Sequence, residues 1–312
     1  MNYYFAPLEG ISGYIFRNAH AQFFPGVDKY YAPFISTNQN HTFTSREMRD
    51  ILPENQRTVV VPQLLSKVSG EFVGASRVLG GMGYDEVNLN LGCPSGTVVA
   101  KGKGSGMLAN LEHLDRFLYE IFDGCKIRIS VKTRVGIASA EEFDAILQVF
   151  NKYPVSLLII HPRVQKDFYR NEVKLDAFKK ALGETALPLC YNGDIVSRNR
   201  LSEIESKFDG IVGIMIGRGL VSNPALLIDT GASKDLIEAF TCKVYDSYKL
   251  AFHDDRNAMM RMKELWSYLI FLFGGSEAYA KKIKRAKSAD DYEILAAGVF
   301  RDLELKNDPD LL

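Results

Sequence analysis

The chain is short of cysteine, of net charge and of long apolar runs, and each shortage removes a class of protein. Four cysteines stand in 312 residues, at Cys93, Cys125, Cys190 and Cys242, far apart and without a CxxC pair. That spacing speaks against a disulfide framework or a zinc knuckle, so no metal is expected, and it fits a reducing compartment such as the cytoplasm. Lys plus Arg and Asp plus Glu both number 38. There is no global basic field, and any contact with a nucleic acid must rest on local patches. The apolar stretch 265–273 is far short of the ~20 residues that span a bilayer. The start, Met1-Asn2-Tyr3-Tyr4-Phe5-Ala6-Pro7, has neither the charged head nor the apolar run of a signal peptide. A cytoplasmic enzyme that makes no membrane contact is the expectation.

What is present has a regular order. Short apolar, β-branched runs at 3–6, 29–35, 58–63, 86–91, 127–132, 156–160, 188–191 and 210–216 alternate with helix-like stretches such as 70–81, 111–122, 141–153 and 198–207. Runs such as Leu157-Leu158-Ile159-Ile160 are apolar on both faces, as parallel strands covered by helices should be. Eight such units predict an α/β fold, a (β/α)8 TIM barrel over residues 1–230, with a doubly wound sheet as the runner-up. From 234 to 312 the strand signals stop. Helical patterns at 235–253, 257–273, 280–287 and 289–303, broken at Gly274-Gly275, predict a C-terminal all-helical domain.

In such a barrel the chemistry sits at the C-terminal strand ends. Polar or glycine-rich tips fall there: Pro7-Leu8-Glu9-Gly10, Gln63, Asn90-Leu91-Gly92-Cys93-Pro94-Ser95, Val131-Lys132-Thr133-Arg134, His161-Pro162-Arg163, Asn192-Gly193-Asp194 and Gly217-Arg218-Gly219. Each has a plainer reading. Cys93 is a small core hydrophobe or, between Gly92 and Pro94, an exposed turn thiol. Lys132 pairs with a helix carboxylate or awaits an anion, because a barrel strand rarely buries a lone lysine. His161 is a satisfied core histidine or, beside Arg163, part of a site. Asn192-Gly193-Asp194 is a common turn. Gly217 and Gly219 serve close packing or, with Arg218, the phosphate site that barrels build from their last two loops. Lys101-Gly102-Lys103-Gly104-Ser105-Gly106 lacks the Walker spacing and reads as a flexible loop, with Lys101 and Lys103 open to a polyanion. The run Lys281-Lys282-Ile283-Lys284-Arg285-Ala286-Lys287 holds five cations and no acid, either a solvated helix face or a basic patch.

Taken in order, these motifs resemble the tRNA-dihydrouridine synthase family over nearly the whole chain. The resemblance runs from Ala6-Pro7-Leu8-Glu9-Gly10 with Phe16-Arg17, through Gln63 and the diagnostic Asn90-Leu91-Gly92-Cys93-Pro94-Ser95, to Val131-Lys132-Thr133-Arg134-Val135-Gly136. His161-Pro162-Arg163, Asn192-Gly193-Asp194-Ile195 and Ile216-Gly217-Arg218-Gly219 complete it. Leu8 stands where many members have Met, and Val164 replaces a common Thr. The resemblance implies FMN as cofactor, NADPH or NADH as reductant and a tRNA uridine as substrate. It sets Pro7, Leu8 and Glu9 along the flavin ring, Gln63 and Lys132 at its polar edge, and His161 against the cofactor. Asn192, Gly193, Asp194, Gly217 and Arg218 would hold the ribityl phosphate.

The chemistry gives these residue types a reason. Saturating the C5=C6 bond of uracil takes a hydride at C6 and a proton at C5. A thiol, ordinarily of pKa ~8.5, is protonated near neutrality and able to give that proton, which makes Cys93 the expected acid. Lys132 would stabilise negative charge on reduced flavin. Asn90 would meet the uracil edge and Arg163 the substrate's oxygens or phosphates. Lys101, Lys103, Lys281, Lys282, Lys284, Arg285 and Lys287 would hold RNA while the base is extruded. An FMN barrel acting on a free pyrimidine, and a non-catalytic RNA-binding barrel, are the alternatives.

Overall fold

Strands that are apolar on both faces need parallel neighbours and helical cover, and the computed structural model supplies both. It describes residues 1–306. In chain order the elements are β1 (Asn2–Phe5), α1 (Tyr14–Phe23), β2 (Lys29–Tyr31), β3 (Ile35–Ser36), α2 (Ser45–Ile51), β4 (Val60–Val61), β5 (Gln63–Leu65), α3 (Ser69–Gly81) and β6 (Glu86–Leu91). There follow α4 (Gly96–Val99), α5 (Leu111–Gly124), β7 (Arg128–Arg134), α6 (Glu142–Phe150), β8 (Leu158–His161), α7 (Leu175–Glu184), β9 (Leu189–Asn192), α8 (Arg198–Lys207), β10 (Gly213–Ile216) and α9 (Arg218–Ser222). Four helices end the described chain: α10 (Lys234–Phe252), α11 (Asp255–Leu269), α12 (Glu277–Arg285) and α13 (Ala289–Asp302).

The ten strand segments fill eight barrel positions. Prolines explain the surplus. A proline has no N–H for a ladder, so Pro33 splits the second position into β2 and β3, and Pro62 splits the third into β4 and β5. The halves still pair in step, β2 with β4 and β3 with β5, all parallel. From β5 the order runs β6-β7-β8-β9-β10-β1-β2, and the Asn2 N–H to Val212 carbonyl bond (3.2 Å) joins the last position to the first. The (β/α)8 barrel is therefore as the sequence predicts. Tyr4, Ala6, Tyr31, Val61, Leu157, Ile159, Cys190 and Met215 fill its interior. All four cysteines are free thiols.

Packing divides the chain into two compact units. The first comprises Met1–Pro7, Lys29–Gly193 and Phe208–Met215 and holds the barrel strands. The second comprises Leu8–Asp28, Asp194–Lys207 and the chain from Ile216 onward, so α1, α8 and α9 pack with the four last helices. Phe240 of α10 meets the rings of Phe16, His20, Phe23 and Phe24 from the first helix and its end. Burial drives the His20 pKa down to about 3, so it serves this seam as a neutral ring. Trp266 of α11 donates to the Tyr292 hydroxyl of α13 (3.0 Å) and packs on Phe273 and Phe300. Side-chain caps from Ser233, Asp254 and Ser288 open α10, α11 and α13. Residues 307–312 of the expected C-terminal domain lie outside the described residues. No helix among those described is long and apolar enough to cross a membrane.

Candidate active site

The barrel unit builds its strand-end chemistry from a chain of amides. Register places Gln63 of β5 beside Asn88 of β6. Asn90, two residues on, points to the same side of the sheet. Gln63 Nε2 donates to Asn88 Oδ1 (2.7 Å), Asn88 Nδ2 to Ser130 Oγ (2.9 Å), and Asn90 Nδ2 to Gln63 Oε1 (2.8 Å). The Asn90 carbonyl oxygen then accepts the backbone N–H groups of Gly92 (3.1 Å) and Cys93 (3.0 Å). This is why the run needs asparagine three residues before its cysteine: the side chain shapes the turn that presents the thiol. Gln63 itself is wholly covered and Asn90 nearly so, with one Asn90 amide hydrogen left for another partner.

Cys93 is held from its other side as well. Its carbonyl oxygen accepts both the backbone N–H (3.1 Å) and the hydroxyl (2.9 Å) of Ser105. Gly104, at φ +58°, makes that approach possible, since a Cβ there would lie 2.8 Å from the same carbonyl oxygen. The stretch that reads as a flexible loop is thus partly fixed. Residues Gly104–Ala109 form a 3-10 turn with Ser105 fully buried, while Lys101 is exposed and Lys103 half-buried. The Cys93 thiol is half-buried.

Lys132 faces Asn90 across the β6–β7 ladder. Among the described residues it makes no hydrogen bond or ion pair, and no helix carboxylate meets it. Burial, and then the Arg134 charge, bring its pKa from 10.5 to about 8. An unpartnered ammonium at a strand end is an anion site in waiting.

Arg134, two residues further along, stands in the Val131–Gly136 run with no role that the sequence alone assigns it. Only 1% exposed, it spends its guanidinium on three carbonyl oxygens: Gly92 (3.0 Å), Val164 (2.9 Å) and Phe168 (2.7 Å). One buried cation therefore ties the turn that carries Cys93 to the loop after β8.

That loop is itself knotted. Asp167 accepts from the Val164 N–H (3.0 Å) and from Asn171 (2.6 Å), and Lys174 stands 3.3 Å away. His161 Nε2 lies 3.1 Å from Arg163 Nη1, and Arg163 Nε donates to the Asn171 carbonyl. Both are buried, so His161 and Arg163 come together as expected. The loop turns at Asp167–Arg170, closed by the Arg170 N–H to Asp167 carbonyl bond (3.0 Å). Phe168 occupies its first corner at φ 49°, ψ −103°. Glycine dominates that corner of a type II′ turn, and a bulkier residue pays on the order of 1–3 kcal/mol there. Tyr169 lies over the Arg134 guanidinium at 5.4 Å and beside the His161 ring at 6.0 Å.

At the end of β9, Asn192 donates to the Met215 carbonyl (2.8 Å). A Cβ on Gly193 would press on Val173, the Tyr191 hydroxyl and the His161 ring. Pro7 is half-buried. In the second unit, Leu8 is half-buried, with its N–H bonded to Ser12 Oγ (2.7 Å), and Glu9 is exposed. Asp194 and Arg218 form an ion pair (3.1 Å), and Gly217 caps α9 just before Arg218. Lys281, Lys282, Lys284, Arg285 and Lys287 are all exposed, with Ile283 anchoring their helix. None of the five cations has an ion-pair partner among the described residues.

Residues 4–291 match the family described as Dihydrouridine synthase (Dus). The chain belongs to the dihydrouridine synthase family. It is 29% identical over 226 residues to a probable tRNA-dihydrouridine synthase of Staphylococcus epidermidis, covering 70% of this chain and 68% of the relative. It is 23% identical over 224 residues to tRNA-dihydrouridine synthase B of Pasteurella multocida, covering 72% and 67%. Among solved structures, a morphinone reductase variant in complex with tetrahydroNAD superposes at TM-score 0.52 with 10% identity, covering 72% of this chain and 85% of that one. A variant of NCR from Zymomonas mobilis gives 0.51 with 15% identity, covering 77% and 90%. These two likenesses concern the barrel fold.

A dihydrouridine synthase is an oxidoreductase, and membership implies a flavin. The donor set suits one. Within the barrel unit, Lys132 supplies an unpaired ammonium for an electron-rich ring edge. Gly193 keeps a side chain out of the space beside His161.

The Lys132 environment has a pH consequence. Its folded pKa lies below its unfolded value, so burying the ammonium costs most below pH 8, and the cost fades as pH rises from 8 to 10.5. In flavin-free protein, Lys132→Met is expected to raise the unfolding temperature at pH 7.5, by an amount that shrinks towards pH 10. Thermal unfolding of both proteins across that range checks this, and a difference independent of pH would mean that the ammonium is solvated.

Proposed function

We propose that the protein reduces the C5=C6 bond of particular uridines in tRNA, with Cys93 as the acid that protonates C5. The observation that carries this reading is the Asn90-shaped turn, which holds a half-buried thiol just past the strand whose Asn90 pairs in register with the unpaired Lys132. The names of the curated relatives supply tRNA as the substrate class. FMN, held by the residues assigned below and reduced by NADPH or NADH, would supply the hydride.

The protein's own residues do the rest. As hydride arrives at C6, carbanion character grows at C5, and the Cys93 thiol gives up its proton there. The Asn90 and Ser105 contacts fix the Cys93 backbone, so the thiol need not search for its position. Asn90 keeps one amide hydrogen for a uracil oxygen, and Gln63, fully covered, orients that amide. Lys132 holds negative charge at the flavin's polar edge. By the family resemblance, Pro7, Leu8, Glu9 and His161 are assigned to the flavin ring. Asn192, Gly193, Asp194, Gly217 and Arg218 are assigned to its phosphate. Arg163, bonded to His161 and Asn171, is assigned to substrate oxygens.

For RNA, we assign residues 234–312 as the tRNA-binding part. The five cations on and after α12 face solvent around a single buried isoleucine, the arrangement that reads phosphates rather than packs a core. Lys101 and Lys103 flank the Cys93 support and are assigned to the same backbone.

Cys93→Ala is expected to keep bound flavin and its reduction by NADPH while losing at least about 100-fold in dihydrouridine formation on unmodified tRNA. Mass spectrometry of the tRNA nucleosides decides it, and normal yield would remove Cys93 from the acid role. Replacing Lys281, Lys282, Lys284, Arg285 and Lys287 by Gln is expected to weaken tRNA binding by roughly tenfold or more at low salt and to flatten its salt dependence. Equal affinity and slope in a filter-binding titration would return these cations to an ordinary solvated face.

A further inference from the structure

Phe168 is held where a phenylalanine should not be. It takes the glycine corner of a hydrogen-bonded turn, its ring has no aromatic partner among the described residues, and the residue is 46% exposed. The neighbouring Tyr169 is 53% exposed, and Lys166 and Arg170 beside the pair are exposed too. A strained corner is kept only if the surroundings impose it. Here they do, through the Asp167 contacts beneath it and the Arg134 bond to the Phe168 carbonyl. The same guanidinium bonds the Gly92 carbonyl, one residue before Cys93. One guanidinium therefore joins the Phe168 carbonyl to the Gly92 carbonyl, tying the turn that bears the exposed ring to the backbone that carries the thiol.

We propose that Phe168 is a stacking wedge, which packs its ring on the nucleotide base next to the uridine that is drawn out to Cys93. The inference rests on the uridine-reduction reading above and adds a residue to it. Extruding a base loses its stacking on a neighbour, and an aromatic face offered to that neighbour offsets the loss. The chemistry of the surface favours a nucleobase over a protein partner. Two exposed rings bracketed by cations are what a stacked, phosphate-linked strand requires, whereas an apolar protein contact would be hindered by Lys166 and Arg170. Phe168 touches neither the reacting carbons nor the proton donor, so it acts on the bound shape of the RNA.

The test compares the full-length flavin-bound protein with Phe168→Gly, Phe168→Leu and Phe168→Tyr on unmodified tRNA. Glycine relieves the corner, so Phe168→Gly should unfold at an equal or higher temperature. Its kcat/KM for tRNA should nonetheless fall about tenfold or more, the loss expected for a stacked base. Leucine, apolar but without an aromatic face, should lose as much, and tyrosine should stay within about twofold of the parent. Parental kcat/KM in Phe168→Gly, or a loss in Phe168→Tyr as large as in Phe168→Leu, overturns the wedge. A parent that makes no dihydrouridine on tRNA overturns the underlying reading and the wedge with it, whereas an active parent with indifferent variants overturns the wedge alone.

Discussion

A single buried guanidinium organises the active end of this barrel. Arg134 lies on β7 with almost no exposed surface, and a cation in that position must be fully satisfied or it would not be tolerated. It is satisfied by backbone carbonyls and not by a carboxylate, so it cross-links chain segments without neutralising anything. The segments are the turn after β6 and the loop after β8. Each is well bonded locally, and Arg134 bonds to both at once. The positive charge it leaves in place is one cause of the low pKa of Lys132, so the same residue that fixes the loops also tunes the neighbouring ammonium.

Function follows from that fixing. In the proposed protonation of C5, the Cys93 proton must meet the carbon where charge grows, and a turn at a strand end has many ways to miss. The Asn90 carbonyl oxygen, the Ser105 pair of donors and the Arg134 bond to Gly92 remove most of those ways. The β8 loop then presents Phe168 and Tyr169 from the far side of the same guanidinium. In the proposed reading, a strained aromatic corner, costly for folding, stands beside a site that would handle a base outside its stack.

The barrel was legible because eight short β-branched runs alternate with helix-like stretches, and runs such as 157–160 are apolar on both faces. The breaks at Pro33 and Pro62 were not anticipated, although the missing N–H that causes them is visible in the sequence. The helix α12 was read from residue 280 and begins at Glu277, a difference within the usual fraying of helix ends. The strand-tip polar residues were found because position along a barrel strand predicts exposure to the active end. Arg134 stood in the quoted Val131–Gly136 run without a role, because nothing local says whether an arginine at a strand end meets solvent or three carbonyls. Ser105 was lost inside a glycine-rich stretch that looks mobile, and its burial depends on Cys93 twelve residues earlier. Phe168 gave no signal at all, since an exposed aromatic in a loop has no periodicity to betray it.

The claim at the centre is that Arg134 couples the Cys93 turn to the Phe168 loop, and amide hydrogen exchange reads it directly. In Arg134→Met, residues 92–95 and 164–170 should lose protection together while the β6, β7 and β8 ladders keep theirs. Unchanged protection in both segments, or loss in one alone, would contradict the coupling.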